Sequence, residues 1–228
     1  MTEQLVLDLG HRSAHGVEDY LVAPCNQDAV AWLDRWPDWP GPALALHGPA
    51  ACGKTHLTHI WMNRSGAQLL SAGELSELAP DRVMAQGHNV IVDDAGSGID
   101  ERALLHLYNM IGEAGGNLLL AGRMPPSRWM VGLADLRSRL NAAPAVAIGR
   151  PDDALIGAVL VKLFGDRQVP VDGEVLAYVL ARMERSFAAA RTLVTALDRA
   201  ALAAHRRITI PLAREVMAAL EDSNSGRE

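Results

Sequence analysis

The stretch Gly48-Pro49-Ala50-Ala51-Cys52-Gly53-Lys54-Thr55 decides the reading of this 228-residue chain. It follows an apolar run, Ala43-Leu44-Ala45-Leu46-His47, and precedes a helix-compatible run over residues 56–64. The pattern G-x-x-x-x-G-K-[ST] between a strand and a helix is a phosphate cradle. Glycines at positions 48 and 53 let the backbone turn so that successive N–H groups face phosphate oxygens. The helix that follows adds its positive N-terminal end. Lys54 reaches the β- and γ-phosphates as a mobile point charge, and Thr55 offers a hydroxyl to Mg2+. A simple Gly-rich turn is the bland alternative, and the flanking strand and helix weigh against it.

A second stretch completes the first. Asn89-Val90-Ile91-Val92-Asp93-Asp94 reads as a buried strand that ends in two carboxylates. A phosphate loop needs an acid beside its metal. Asp93 would hold Mg2+ directly or through water, and Asp94 is placed to orient or deprotonate an attacking water. The competing reading is a plain strand–turn junction, where Asp is common.

Working outward, strand and helix patterns alternate. Residues 67–71, 89–92, 117–122 and 145–148 read as further strands after residues 43–47. Residues 28–36, 100–114 and a short segment ending at Leu140 read as helices, and residues 73–86 are weakly helical. Leu104, Leu107, Tyr108 and Ile111 recur at helical spacing, and Gly115-Gly116 stops that helix. Trp32, Trp36 and Trp39 lie close together before the first strand and are expected to be packing residues. Past Pro151 the strands cease, and four helices follow over 152–164, 173–183, 186–205 and 211–220. The alternating part predicts a five-stranded parallel sheet covered by helices on both faces, and the rest a small all-helical second domain.

Composition sets limits. The net charge of −6 argues against a protein that binds nucleic acid through bulk positive charge. Lys54 and Lys162 are the only lysines, so the positive charge is carried almost wholly by arginine. Cys25 and Cys52 suggest neither a disulfide framework nor a metal site. Cys52 lies inside the loop, where amides and a helix N-terminus favour a thiolate, although a small filler residue is the plainer reading. No signal peptide or apolar run near 18 residues is visible, so a soluble, cytoplasmic protein is expected.

At the other end of the chain, Gln4-Leu5-Val6-Leu7-Asp8-Leu9 alternates, which places three leucines on one face of an extended segment. An edge strand and a linear motif docking in a partner's groove both fit that pattern.

Taken together, the order of parts resembles the AAA+ ATPases and, within them, the group formed by the initiator DnaA and its short Hda-type relatives. The resemblance rests on Tyr20-Leu21-Val22 with Asn26-Gln27, on residues 48–57, and on Asp93-Asp94. It continues through Leu107-Tyr108-Asn109, Pro125-Pro126, Leu133-Ala134-Asp135-Leu136-Arg137-Ser138-Arg139-Leu140, Ala190-Arg191-Thr192-Leu193 and Arg207-Ile208-Thr209-Ile210-Pro211. It implies a P-loop AAA+ domain over 17–150, a helical lid over 151–221 and a disordered tail over 222–228. Residues 1–16 would be a clamp-binding peptide and linker.

The resemblance also assigns roles. Tyr20, Leu21, Val22 and Asn26 would line an adenine site, and the nucleotide, ADP or ATP with Mg2+, would extend over residues 48–55 to His56. Arg139 falls at an arginine finger and Arg191 at the second sensor, facing the phosphates. Gln4, Leu5, Leu7 and Leu9 would bind the replication sliding clamp, the β subunit of DNA polymerase III, and reach DNA only through it. DnaA would be the partner whose bound ATP is hydrolysed, which inhibits re-initiation; a homo-oligomer also fits. A loader or remodelling ATPase that turns over its own nucleotide is the alternative. Three positions depart from the pattern. Arg123 stands at the first sensor, Asp94 where many motors have Glu, and Asn141-Ala142-Ala143-Pro144 where an aromatic–glycine turn is usual.

Overall fold

The computed structural model describes residues 21–77, 80–96, 98–204 and 206–225. The chain forms two compact units, and the boundary between them falls at Gly149–Arg150. Gln4, Leu5, Leu7, Leu9 and Tyr20 lie outside the described residues.

In the first unit, five strands are found among the described residues: β1 (Ala43–His47), β2 (Gln68–Ser71), β3 (Val90–Asp93), β4 (Leu118–Gly122) and β5 (Ala145–Ala147). All pair in parallel, in the order β2-β3-β4-β1-β5. Inserting β4 between β1 and β3 sets three strand ends side by side. The phosphate-loop sequence follows β1, Asp93 closes β3, and Arg123 follows β4. Open parallel sheets bind ligands at such carboxyl ends.

The alternation of side chains sorts each strand into two cores. Leu44, Leu119 and Ile91 stand in one row. They pack with helices α1 (Gln27–Asp34) and α2 (Lys54–Ser65) through Ala29, Leu33, Leu57 and Trp61. One residue along, Ala45, Leu120 and Val92 form a row on the other face. That face meets α3 (Ala72–Glu77), α4 (Pro80–Met84), α5 (Glu101–Glu113) and α6 (Ala134–Ala142) through Leu75, Val83, Leu104, Leu107 and Leu136. Because β1, β3 and β4 are buried on both faces, they are read as continuous apolar runs. Asp100 is the N-cap of α5, accepting from the Arg102 and Ala103 N–H groups at 2.9 and 3.0 Å.

The tryptophans are packing residues. Trp39 stacks on Trp61 at 5.4 Å, and Trp36 meets Trp61 edge-on at 6.1 Å. The Trp36 indole N–H donates to Asn117 Oδ1 at 2.9 Å, and that of Trp39 to the Trp32 carbonyl at 2.8 Å.

The second unit consists, among the described residues, of α7 (Asp153–Asp166), α8 (Gly173–Leu180), α9 (Phe187–Ala204) and α10 (Ile210–Ser225). Ile156, Leu160, Val179, Leu193, Val194, Leu197 and Ala213 close its core. Asp152 caps α7 by accepting the Leu155 N–H at 2.8 Å. α10 runs to Ser225 and so extends into the tail expected over 222–228. Apolar periodicity ends at Leu220, but the backbone ladder of a helix needs no apolar face to run another turn. No described helix is long and apolar enough to cross a membrane.

Candidate nucleotide site

The loop between β1 and α2 closes around its two glycines. The Gly48 N–H donates to the Gly122 carbonyl at 3.2 Å, and a Cβ on Gly48 would lie 2.2 Å from the Ile148 carbonyl oxygen. No other residue fits there. Gly53 precedes α2 with φ 102°, and Ala51 also takes a left-handed conformation, φ 59°. Such left-handed residues are the kind of turn that lets successive loop amides converge on an anion.

Lys54 opens α2 and is 9% exposed. Its ammonium donates to the carbonyls of Gly48 at 2.9 Å and Pro49 at 2.8 Å. The cation is therefore held at the loop by the loop's own backbone. Pro49 and His56 are half-buried, whereas Ala50, Ala51 and Thr55 are exposed, so the loop's outer side is open to a ligand. Cys52 differs. Its thiol is 1% exposed and packs in the core that holds Leu44, Leu46 and Leu57. Cys52 fills that core as a small residue, and its Sγ accepts from the Lys54 ammonium at 3.8 Å.

Asp93 ends β3 half-buried, and its Oδ1 accepts the Asp94 N–H at 2.9 Å. Asp94 is exposed with φ 52°, a left-handed conformation in which Asp is among the tolerated residues. No group of three His, Cys, Asp or Glu side chains forms a metal cage among the described residues. Mg2+ takes one or two protein oxygens and completes its octahedron with phosphates and water. An exposed Thr55 hydroxyl and the Asp93 carboxylate could supply such oxygens.

Other positions complete the rim. Burial holds the His47 imidazole below its ordinary range, and the positive charges of Arg128 and Lys54 add to the effect. Trp129 packs against Gly122 and Gly96, whose added Cβ atoms would come within 3.3 and 3.1 Å of it, and its indole donates to the Met124 carbonyl at 2.8 Å. Sequence reasoning missed Trp129 and Arg128, because neither belongs to a motif and their partners are distant in sequence. Arg123 is exposed beside them.

The loop before α1 lies near the same rim: the Cys25 carbonyl accepts the Gly149 N–H at 2.8 Å, one residue past Ile148. The Asn26 side chain bonds within its own loop. It is 1% exposed, accepts from the Ala23 N–H at 2.8 Å and donates to the Leu21 carbonyl at 3.1 Å. Its role is to fold the loop that carries Leu21 and Val22, both half-buried.

Arg139 lies on α6, half-exposed. Its Nε and Nη2 donate to the Asp135 carboxylate at 3.0 and 3.3 Å, and its guanidinium carbon is 5.7 Å from the Tyr108 ring centre. Arg137, two residues back, is exposed with no ion pair among the described residues. In the second unit, Arg191 is exposed on α9 and shares a shallow cavity with Thr195, Arg199 and Leu220.

Residues 158–217 match a family model described as the Hda lid domain. The structure is similar to domain III of the Thermotoga maritima replication initiation protein DnaA, with TM-score 0.74 and 15% identity over 89% of this chain and 95% of that one. The second unit thus matches the Hda lid domain, and the chain has the fold of DnaA domain III. AMPPCP-bound DnaA from Aquifex aeolicus is also similar, with TM-score 0.66 and 16% identity over 78% of this chain. So is the Thermotoga maritima RuvB Holliday junction branch migration motor, at TM-score 0.61 and 15% identity over 78%. The chain spans 63% of the Aquifex protein and 62% of RuvB. The lid match covers α8, α9, most of α7 and the first half of α10, so both the sheet and the lid of an AAA+ fold are present.

Proposed function

We propose that this protein is an Hda-type regulator of replication initiation. It binds ADP or ATP with Mg2+ through residues 48–55, Asp93 and the Leu21–Val22 loop. It joins the DNA-loaded sliding clamp through Gln4, Leu5, Leu7 and Leu9. Docked against ATP-bound DnaA, it supplies Arg139 to DnaA's γ-phosphate and so promotes hydrolysis there, in the cytoplasm. The observation that carries this reading is the conjunction of an Hda lid match with a half-exposed arginine on α6. A guanidinium suits the role because it stays charged and donates in a fixed fork to oxygens whose charge is redistributing. The AMPPCP bound to the similar Aquifex DnaA supports nucleotide as the ligand class.

The experiment mixes the protein with ATP-loaded DnaA, clamp and DNA and follows conversion of DnaA-bound ATP to ADP. Conversion that requires all components supports the reading. No acceleration over DnaA with clamp and DNA sinks it. The adjacent Asp93 and Asp94 favour a second reading, in which the protein turns over its own nucleotide as a loader or remodelling ATPase. Steady-state hydrolysis by the isolated protein distinguishes the two, and Arg123 at the first-sensor position argues for a low rate.

A further inference from the structure

An arginine that must meet a phosphate on another subunit loses rotamer freedom when it does so, and any group that fixes it beforehand lowers that cost. Arg139 is fixed on two sides. Asp135, one turn earlier on α6, grips one edge of the guanidinium through Nε at 3.0 Å and Nη2 at 3.3 Å. Tyr108 of α5 stands on another side, its ring centre 5.7 Å from the guanidinium carbon. At 8% exposure that ring is a wall of the core and not a mobile partner. Burial pushes the phenol above its ordinary range while Arg139 pulls it down, which is the electrostatic trace of the same contact.

The helix beneath is tied as well. Glu101, seven residues before Tyr108 and so two turns away on the same side of α5, accepts the Gly132 N–H at 2.8 Å and the Leu133 N–H at 2.7 Å. These two amides lead directly into α6. One helix, α5, thus holds the start of α6 through Glu101 and the side chain near its end through Tyr108. The same α5 starts a few residues after Asp93-Asp94.

We propose that Tyr108 and Asp135 are positioning residues for Arg139, with Glu101 locking the helix that carries it. This rests on the assignment of Arg139 as the cation supplied to DnaA. A guanidinium has five N–H donors. Asp135 engages two of them and leaves the other edge of the fork for phosphate oxygens. An exposed ion pair of this kind adds little stability, so its effect falls on geometry.

The test follows hydrolysis of DnaA-bound ATP against rising concentrations of wild type, Asp135→Asn, Tyr108→Phe, Tyr108→Leu and Arg139→Ala, with clamp and DNA present. Asp135→Asn and Tyr108→Leu should each lower the saturated rate by about 10-fold and leave the half-saturating concentration unchanged. Tyr108→Phe keeps the ring face and should stay within about twofold of wild type. A merely structural role would lower the melting temperature and raise the half-saturating concentration, with the saturated rate preserved. Asp135 is a safe site for this comparison because its side chain is 58% exposed. A saturated rate for Asp135→Asn at or above wild type overturns the proposal, as does a folded Tyr108→Leu that keeps the full rate. If Arg139→Ala itself keeps the full rate, the assignment of Arg139 falls and the positioning proposal with it.

Discussion

Lys54 donates from its ammonium to the carbonyl of Gly48, six residues back, across 2.9 Å. The loop thereby orients its own cation. The ammonium also donates to the Pro49 carbonyl at 2.8 Å and to Cys52 Sγ at 3.8 Å, so meeting a phosphate means exchanging one of these loop partners for a phosphate oxygen.

Lys54→Ala should weaken ADP binding by roughly 10–100-fold, the loss expected for one or two charge-assisted hydrogen bonds. Calorimetric titration of ADP into both proteins measures this. Circular dichroism checks that the variant is folded.

Gly48→Ala should destabilise the first unit by about 1–3 kcal/mol, the usual cost of forcing an atom into filled space. A Cβ there would meet the Ile148 carbonyl at 2.2 Å and Cys52 Sγ at 2.9 Å. Gly41→Ala is the control, since nothing lies within 4 Å of the added carbon. Urea denaturation of the two variants should separate them clearly.

Both the sheet and the phosphate loop were legible in the sequence, for physical reasons. Ala43 to Leu46, Val90 to Val92 and Leu118 to Ala121 are buried on both faces and so read as unbroken apolar runs. The loop reads because its glycines answer local steric demands. What was not legible depends on contacts between distant residues. Asn26, a short polar side chain at a turn, bonds the backbone of Ala23 and Leu21, a local role that the resemblance did not announce. Cys52 reads most plainly as a small filler, and its side chain does pack in the core with Leu44, Leu46 and Leu57. Trp129 fits against Gly96 and Gly122, a pairing that no local pattern announces. The last turn of α10 carries no apolar signal at all.

His47 should make the protein acid-sensitive. Its pKa in the folded chain lies below the ordinary 6.5, so the unfolded chain binds more protons as the pH falls. The stability that this group contributes is present above pH 6.5 and is lost as the pH drops toward the folded value. His47→Gln should therefore show a smaller fall in melting temperature than wild type between pH 7.5 and about 5.5. Parallel melting curves at both pH values decide the point.

Cys52 should resist modification with or without nucleotide, because its thiol is 1% exposed. Under native conditions iodoacetamide should label half-buried Cys25 faster than Cys52, as peptide mass spectrometry would record. Rapid labelling of Cys52 that ADP suppresses would place the thiol at the site after all.

The most direct test of the account compares Arg139→Ala with Arg137→Ala in the hydrolysis of DnaA-bound ATP on clamp and DNA. Both arginines lie on α6, but only Arg139 is gripped by Asp135 and backed by Tyr108. The account predicts that Arg139→Ala still binds ADP and clamp, yet loses stimulation by ~10³-fold or more, the scale of a trans-acting arginine. Arg137→Ala should remain substantially active. Stimulation by Arg139→Ala equal to that of wild type would contradict the account.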